Sequence, residues 1–413
     1  MITQRYATGV NNANKEVNFL SSPVVSSPLG SNANKVATPE PQQVTSKPVR
    51  QKLYAIRTAN RKQRIVSDRT GNCGCKTIGR HAELNLNPLH NSVNITNVET
   101  CASVWQCPVC RSKIMQGRAD ELRQVEENFK ADGGHTFMLT LTAPHYKGQS
   151  LRKTLGTHKD KTGITGAMAR LRQQRAWKAF KQDIGYIADC RALEITTGRN
   201  GWHPHLHMII YTHDPVNTQA VENTLLPLWS DCCEKAGLDR PNHHGVKANK
   251  GVSEYLAKWG AASELSSDTT KAAKNGNRTI SELEAIMLTD PDSVQMTLKE
   301  YYSTMKGRKL LTWSGHNMRG QFLDEEKTDQ ELATDDRGEG EKLYNIQAHT
   351  WQQIYNTGKI GTMLSMIEKD HQNGLFAFLE AHHINPGGVS RTVKDMPLPE
   401  QIKTDLSTWS YKN

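Results

Sequence analysis

Between Gly201 and Tyr211 the chain reads Gly201-Trp-His203-Pro-His205-Leu-His207-Met-Ile-Ile-Tyr211. Histidines at every second position, with other residue types between them, have the period of a β-strand, in which alternate side chains share a face. His203, His205 and His207 therefore point one way, and Leu206, Met208 and Ile210 the other. Residues 187–197 also read as a strand, and Gly198, Asn200 and Gly201 supply the turn, so a β-hairpin is predicted. Centring that turn on residues 199–200 sets Glu194 opposite His205 on the histidine face. A slip of one residue would turn the carboxylate away.

A single histidine on such a strand is ordinarily a satisfied core residue. Three alternating ones make a ligand set. His205 and His207, with His203 as a further imidazole and Glu194 as the expected carboxylate, suit a divalent cation with open positions. Mg²⁺ or Mn²⁺ bound to phosphate oxygens fits that description. Such a cation would polarise a phosphodiester and stabilise charge developing on its oxygens.

The charge balance agrees with a polyanionic partner. Net charge is +10 and the isoelectric point about 9.1. Residues 147–181 alone carry ten Lys or Arg against one acid, Asp160. The stretch from Ala167 to Asp183 should be a helix, with Arg170, Arg172, Arg175 and Lys178 as candidate DNA phosphate contacts. Hydrophobic residues make up 36% of the chain and mean hydropathy is −0.65, values that point to folded domains joined by long solvated segments. No run of about 18 apolar residues exists to span a membrane. A secretory leader is not recognisable either, so the expected location is the cytoplasm.

Four regions follow. Residues 1–50, rich in Asn, Ser, Thr, Val, Pro and Gln, bury too little apolar area to offset ordering entropy and should be a disordered tail. Residues 51–131 join a basic segment to a Cys-rich module that ends in a helix over 112–131. Residues 132–320 hold the histidine hairpin, preceded by a buried strand at Thr136–Thr142 and followed by helices over 217–237 and 251–262 and a strand near Lys309–Trp313. Residues 321–413 join an acidic linker, with nine acids over 323–341, to a last seventy residues that look like a small helical module.

Five of the eight cysteines fall within residues 71–115. Cys73-Gly-Cys75 and Cys107-Pro-Val-Cys110 are two pairs about thirty residues apart, a spacing that makes a tetrahedral, structural Zn²⁺ site. Cys101 is a fifth candidate. Cys190, Cys232 and Cys233 are assigned to packing.

Gly251-Val-Ser-Glu-Tyr255-Leu-Ala-Lys258 reads as a short helix with Tyr255 and Lys258 on one face. Taken alone, Y-x-x-K is an ordinary amphipathic pattern. In the order Phe137-Met-Leu-Thr-Leu-Thr142, His205-Leu-His207-Met-Ile-Ile210, Tyr255-Leu-Ala-Lys258, however, the chain resembles the HUH endonuclease superfamily, and within it the rolling-circle plasmid replication initiators. The segments Cys101–Cys110 and Lys306–Ser314 are similar to the same family, so the resemblance covers roughly residues 70–400.

That resemblance implies an α+β fold with a ferredoxin-like antiparallel sheet and the histidines on a central strand. The residue pattern itself adds an N-terminal zinc-binding module and a C-terminal helical region around the catalytic domain. The implied activity is metal-dependent nicking and rejoining of one DNA strand, with Tyr255 as nucleophile through a 5′-phosphotyrosine linkage and Lys258 holding the adjacent phosphate. Expected partners are a plasmid origin, single-stranded or as a hairpin, and host replication proteins such as a helicase. A homodimer is a candidate assembly. Relaxases and transposases of the same superfamily, a water-using metal phosphodiesterase, and a non-enzymatic zinc DNA-binding protein are the competing readings.

Overall fold

In a computed structural model of the chain, residues 47–88, 90–250, 252, 277–334 and 340–392 are described. The predicted helix over 251–262, with Tyr255 and Lys258, lies outside the described residues, save Val252. The first 46 residues of the predicted tail also lie outside them.

The fold is α+β. Among the described residues, ten strands form two antiparallel sheets: β1 (His81–Asn87), β2 (Ser92–Thr96), β3 (His135–Leu141), β4 (Tyr186–Gly198), β5 (Gly201–Thr212), β6 (Val246–Asn249), β7 (Arg278–Thr279), β8 (Leu311–Gly315), β9 (Glu341–Gln347) and β10 (Val389–Arg391). The larger sheet runs β6-β3-β5-β4, and the outer edge of β4 is shared by β7 at Thr196–Thr197 and β8 at Ala188–Ala192. The histidine strand β5 is thus flanked on both sides. Its pairing with β4 sets Glu194 opposite His205, the register expected from the turn. Gly201 closes that turn at φ 87°, in the left-handed region where a Cβ is costly.

The two faces of β5 are treated differently. Leu206, Met208 and Ile210 are buried on one. On the other, Tyr211 packs edge-on against Phe129 of the helix Pro108–Ala131, with ring centroids 5.3 Å apart, so that end of the face is covered. His203, His205 and His207, further toward the turn, are only partly buried.

Four expectations need correction. The basic stretch is two helices, Gly163–Gln173 and Arg175–Asp183, because Gln174 is extended at φ −69°, ψ 139°. No Gly or Pro marks that break. The acidic stretch over 323–341 is not simply a linker: Asp329–Thr334 is helical and buries Leu332 and Ala333. Gly117, with no side chain, makes room for Leu332 on the helix Pro108–Ala131. The helix Lys47–Lys62 starts inside the span assigned to the tail. Finally, the C-terminal region is not all helical. It supplies β9 and β10, and β9 pairs with β1, giving the smaller sheet β10-β9-β1-β2. Leu84 and Ile346 of that sheet share a core with Trp351, Leu364 and Phe378 from the helices Ala348–Thr357, Ile360–Lys369 and Gly374–Ala381. No helix among the described residues is long and apolar enough to cross a membrane.

A buried polar network ties four helices together. Glu284 of Ile280–Ile286 is fully buried and pairs with Arg111 of Pro108–Ala131. Tyr302 of Pro291–Met305 donates to the same carboxylate at 2.6 Å and accepts from Asn60 of Lys47–Lys62 at 2.9 Å. Removing the carboxylate would leave a buried guanidinium uncompensated. Glu284→Ala is expected to destabilise the chain by about 3–5 kcal/mol, read as a lower midpoint in urea unfolding. A midpoint equal to that of the wild type would show that the pair contributes little.

Candidate active site and metal centre

The histidines of β5 form a row. Ring centroids of His203 and His205 lie 3.8 Å apart, and those of His205 and His207 5.9 Å apart. His207 is held at both nitrogens: Nδ1 is 3.0 Å from Thr140 Oγ1 on β3, and Nε2 is 2.8 Å from Glu194 Oε2 on β4. Glu194 thus reaches diagonally from its register partner His205 to His207. His205 Nδ1 is buried.

Burial keeps His203 and His205 neutral at pH 7. It pushes His205 down to about 4, with Glu194 opposing the shift. It pushes His203 down to about 3, helped by the neighbouring His205 and His145. Neutral imidazoles and a carboxylate are donors of the type a divalent cation takes, but no three of their ligand atoms lie within 4.8 Å of one another in this structure. Thr140, in the T-L-T segment, orients a ring in the manner of an outer-sphere partner.

His145 was not among the residues singled out in the sequence. It follows β3 in the loop Ala143-Pro144-His145, and its ring stacks on His203 with centroids 4.0 Å apart and planes at 21°. Its Nδ1 is also buried. The sequence signal was slight: one histidine just past a strand that pairs with β5.

The four candidate phosphate contacts are not brought to this row. Arg172 pairs with Asp189 at 2.5 Å and also reaches Ser314. Asp189 is five residues from Glu194 on β4, so it faces the other side of the sheet. Arg172 is therefore engaged within the fold, on the face away from the histidines. Arg175 and Lys178 on the next helix are exposed, and Arg170 is half-buried.

The cysteines resolve differently from the two-pair expectation. Ligand atoms of Cys73, Cys101, Cys107 and Cys110 all lie within 4.8 Å of one another, and all four residues are buried. Cys73 and Cys110 Sγ atoms are 3.5 Å apart, and those of Cys101 and Cys110 3.7 Å. A zinc–sulfur bond of about 2.3 Å gives a tetrahedral edge of about 3.8 Å, so the cluster has the size of a closed four-thiolate site. Hydrogen bonds from Cys101, Cys107 and Cys110, and then the Arg57 guanidinium, push the Cys73 thiol far down. Cys75 is not part of the cluster. It packs in the smaller core, where Gln352 Nε2 lies 3.1 Å from its sulfur. Cys190, Cys232 and Cys233 are buried, as packing residues would be.

Cys101→Ser should therefore release bound zinc and lower thermal stability, because metal binding energy is also folding energy. Cys75→Ser should retain zinc at the wild-type ratio. Elemental analysis of both variants checks this, and equal zinc loss in the two would refute the four-residue set.

The sequence model of the family Rep_1, described as Replication protein, matches residues 92–358. The chain is similar to "Protein rep" of Streptomyces lividans, 26% identical over 281 residues, covering 52% of this chain and 62% of that protein. It is similar also to the "Neomycin resistance protein" of Streptomyces cyanogenus, 33% identical over 129 residues, covering 27% of this chain and 30% of that protein. The chain thus spans less than two thirds of the length of either relative. No solved structure matches it significantly. The family match takes in the cysteine cluster from Cys101 onward, both strands of the histidine hairpin and β9, and by it the chain belongs to the replication-protein family.

Proposed function

We propose that the protein initiates rolling-circle replication of a plasmid by nicking one DNA strand at the origin and later rejoining it. The observation that carries this reading is the row of imidazoles beside Glu194 on the central strand of a chain from the replication-protein family. His205 and His207, with Glu194 and His203, are the proposed ligands of Mg²⁺ or Mn²⁺. When bound, the cation would polarise the scissile phosphodiester.

Tyr255 is the proposed nucleophile. Strand β6 pairs with β3, which itself pairs with β5, and the chain leaves β6 at Asn249, six residues before Tyr255. Val252, three residues before it, is buried in the larger core. Asn249, the last residue of β6, thus lies two strands away from the histidines. The phenol oxygen attacks phosphorus, the bond from phosphorus to O3′ breaks, and the phenol proton is lost as O3′ gains one. The 5′-phosphate stays on the tyrosine, so the bond energy is retained, and attack by a 3′-hydroxyl reverses the step. Lys258 is proposed to hold the adjacent phosphate. DNA is the partner this function needs, with exposed Arg175 and Lys178 as proposed contacts outside the histidine face.

Protein incubated with Mn²⁺ and a labelled hairpin-bearing origin should give a denaturation-resistant DNA adduct. Tyr255→Phe should eliminate the adduct while leaving DNA binding intact. His205→Ala with His207→Ala should lower nicking at least about a hundredfold, the loss expected on removing cation stabilisation worth several kcal/mol. Nicking of normal rate without an adduct would replace the tyrosine mechanism with a water-using phosphodiesterase.

A further inference from the structure

Five cations gather where the short helix Leu151–Leu155 packs against the helix Pro291–Met305. Arg152 and Lys153 stand on the first, and Lys306, Arg308 and Lys309 on the turn that leads from the second into β8. Arg308 is fixed by two carbonyls, donating from Nε to Thr304 O at 3.0 Å and from Nη2 to Gly156 O at 2.8 Å. The other four are exposed. Burial, and then the neighbouring Arg152, holds the Arg308 guanidinium below its usual value. None of the five forms an ion pair among the described residues, whereas Arg111, Arg118 and Arg172 each meet a carboxylate. Two acids in the adjoining segments are turned to other donors. Glu300 accepts from Leu151 N at 2.6 Å and from Trp202 Nε1 at 3.0 Å, and Asp160 accepts from Thr157 Oγ1 at 2.8 Å.

The cysteine cluster holds this patch in place. Trp105 and Gln106 lie between Cys101 and Cys107. Trp105 donates its indole N–H to Arg308 O at 2.7 Å, and Gln106 donates from Nε2 to Tyr302 O at 3.0 Å. Trp105 also packs edge-on against Tyr301, whose ring stacks on Trp202, with centroids 6.4 Å apart in each pair. Trp202 alternates with His203 on β5, so the helix Pro291–Met305 lies on the sheet face opposite the histidines. Like charges gathered without counter-charges repel one another, and a polyanion relieves that repulsion. We propose that this patch is a docking surface for the backbone of duplex DNA, separate from the histidine face. The rings beneath it, Trp105, Tyr301 and Trp202, are buried and cannot stack on unpaired bases as the platforms of single-strand binders do. The patch offers charge, which positions phosphates and carries no sequence information. That the polyanion is DNA rests on the proposed function; the unpaired charge does not.

The test measures binding of the full chain to a short fluorescein-labelled blunt duplex, and to one of its strands, by fluorescence anisotropy across a range of salt. Wild type is compared with a variant combining Arg152→Ala, Lys153→Ala, Lys306→Ala and Lys309→Ala. All four side chains are exposed, and an unchanged thermal midpoint checks that the fold survives. The variant is expected to bind duplex at least about thirtyfold more weakly, with the slope of log affinity against log salt smaller by about three. The milder pair Lys306→Gln with Lys309→Gln should lower the slope by about two and serves if the combined variant misfolds. Single-strand affinity should change much less. Adduct formation with Mn²⁺ on a single-stranded origin oligonucleotide, read in parallel, should be unchanged. Duplex affinity and slope equal to those of wild type overturn this inference and leave the nicking reading untouched. An equal loss on duplex and single strand overturns it too. If wild-type protein forms no adduct while the variants still lose duplex, the nicking reading falls and the docking surface stands.

Discussion

The register of the β4–β5 hairpin is the constraint on which the rest of the histidine face depends. It decides that three imidazoles leave the apolar side of the sheet and that Glu194 leaves with them. A slip of one residue would push Leu206, Met208 and Ile210 outward and the histidines into the core. Each large apolar side chain contributes about 1.5–3 kcal/mol through burial, so the register is held by the core rather than by the site. The turn at Gly201 and the paired edges of β5 complete that restraint.

The two sheets meet at a short piece of chain. Cys73 belongs to the core of the larger sheet and Cys75 to that of the smaller, with Gly74 between them at φ 76°. Trp351 donates its indole N–H to Gly74 O at 2.9 Å, and Arg57 donates to Cys73 O at 2.8 Å. The Arg57 guanidinium also lies over the rings of Tyr54 and Tyr355, at 4.8 and 5.2 Å. One cation therefore joins a helix from each end of the chain to the cysteine cluster. This is why a cysteine motif that looks like a ligand pair in sequence gives only one sulfur to the cluster: its second sulfur packs in a different core.

Positive charge is likewise divided between structure and surface. Arg111, Arg118 and Arg172 pair with Glu284, Asp329 and Asp189, and all three guanidiniums are largely buried in those pairs. Arg175 and Lys178 stay exposed. A count of basic residues along the sequence cannot separate the two kinds, because the acid that captures Arg111 is 173 positions away.

What the sequence determined by itself is the local part of this protein. Period-two alternation placed β4 and β5 and set Glu194 facing His205, because strand faces and a tight turn are short-range properties. The cysteine spacings likewise announced a metal-sized cluster. What only the tertiary structure decided are the choices between distant segments. These are Cys101 in place of Cys75, the pairing of β1 with β9 across some 260 residues, the break at Gln174, and the arrival of His145 beside His203. Each depends on which buried surface a segment meets, and that is settled by packing between parts of the chain whose separation in sequence carries no local pattern.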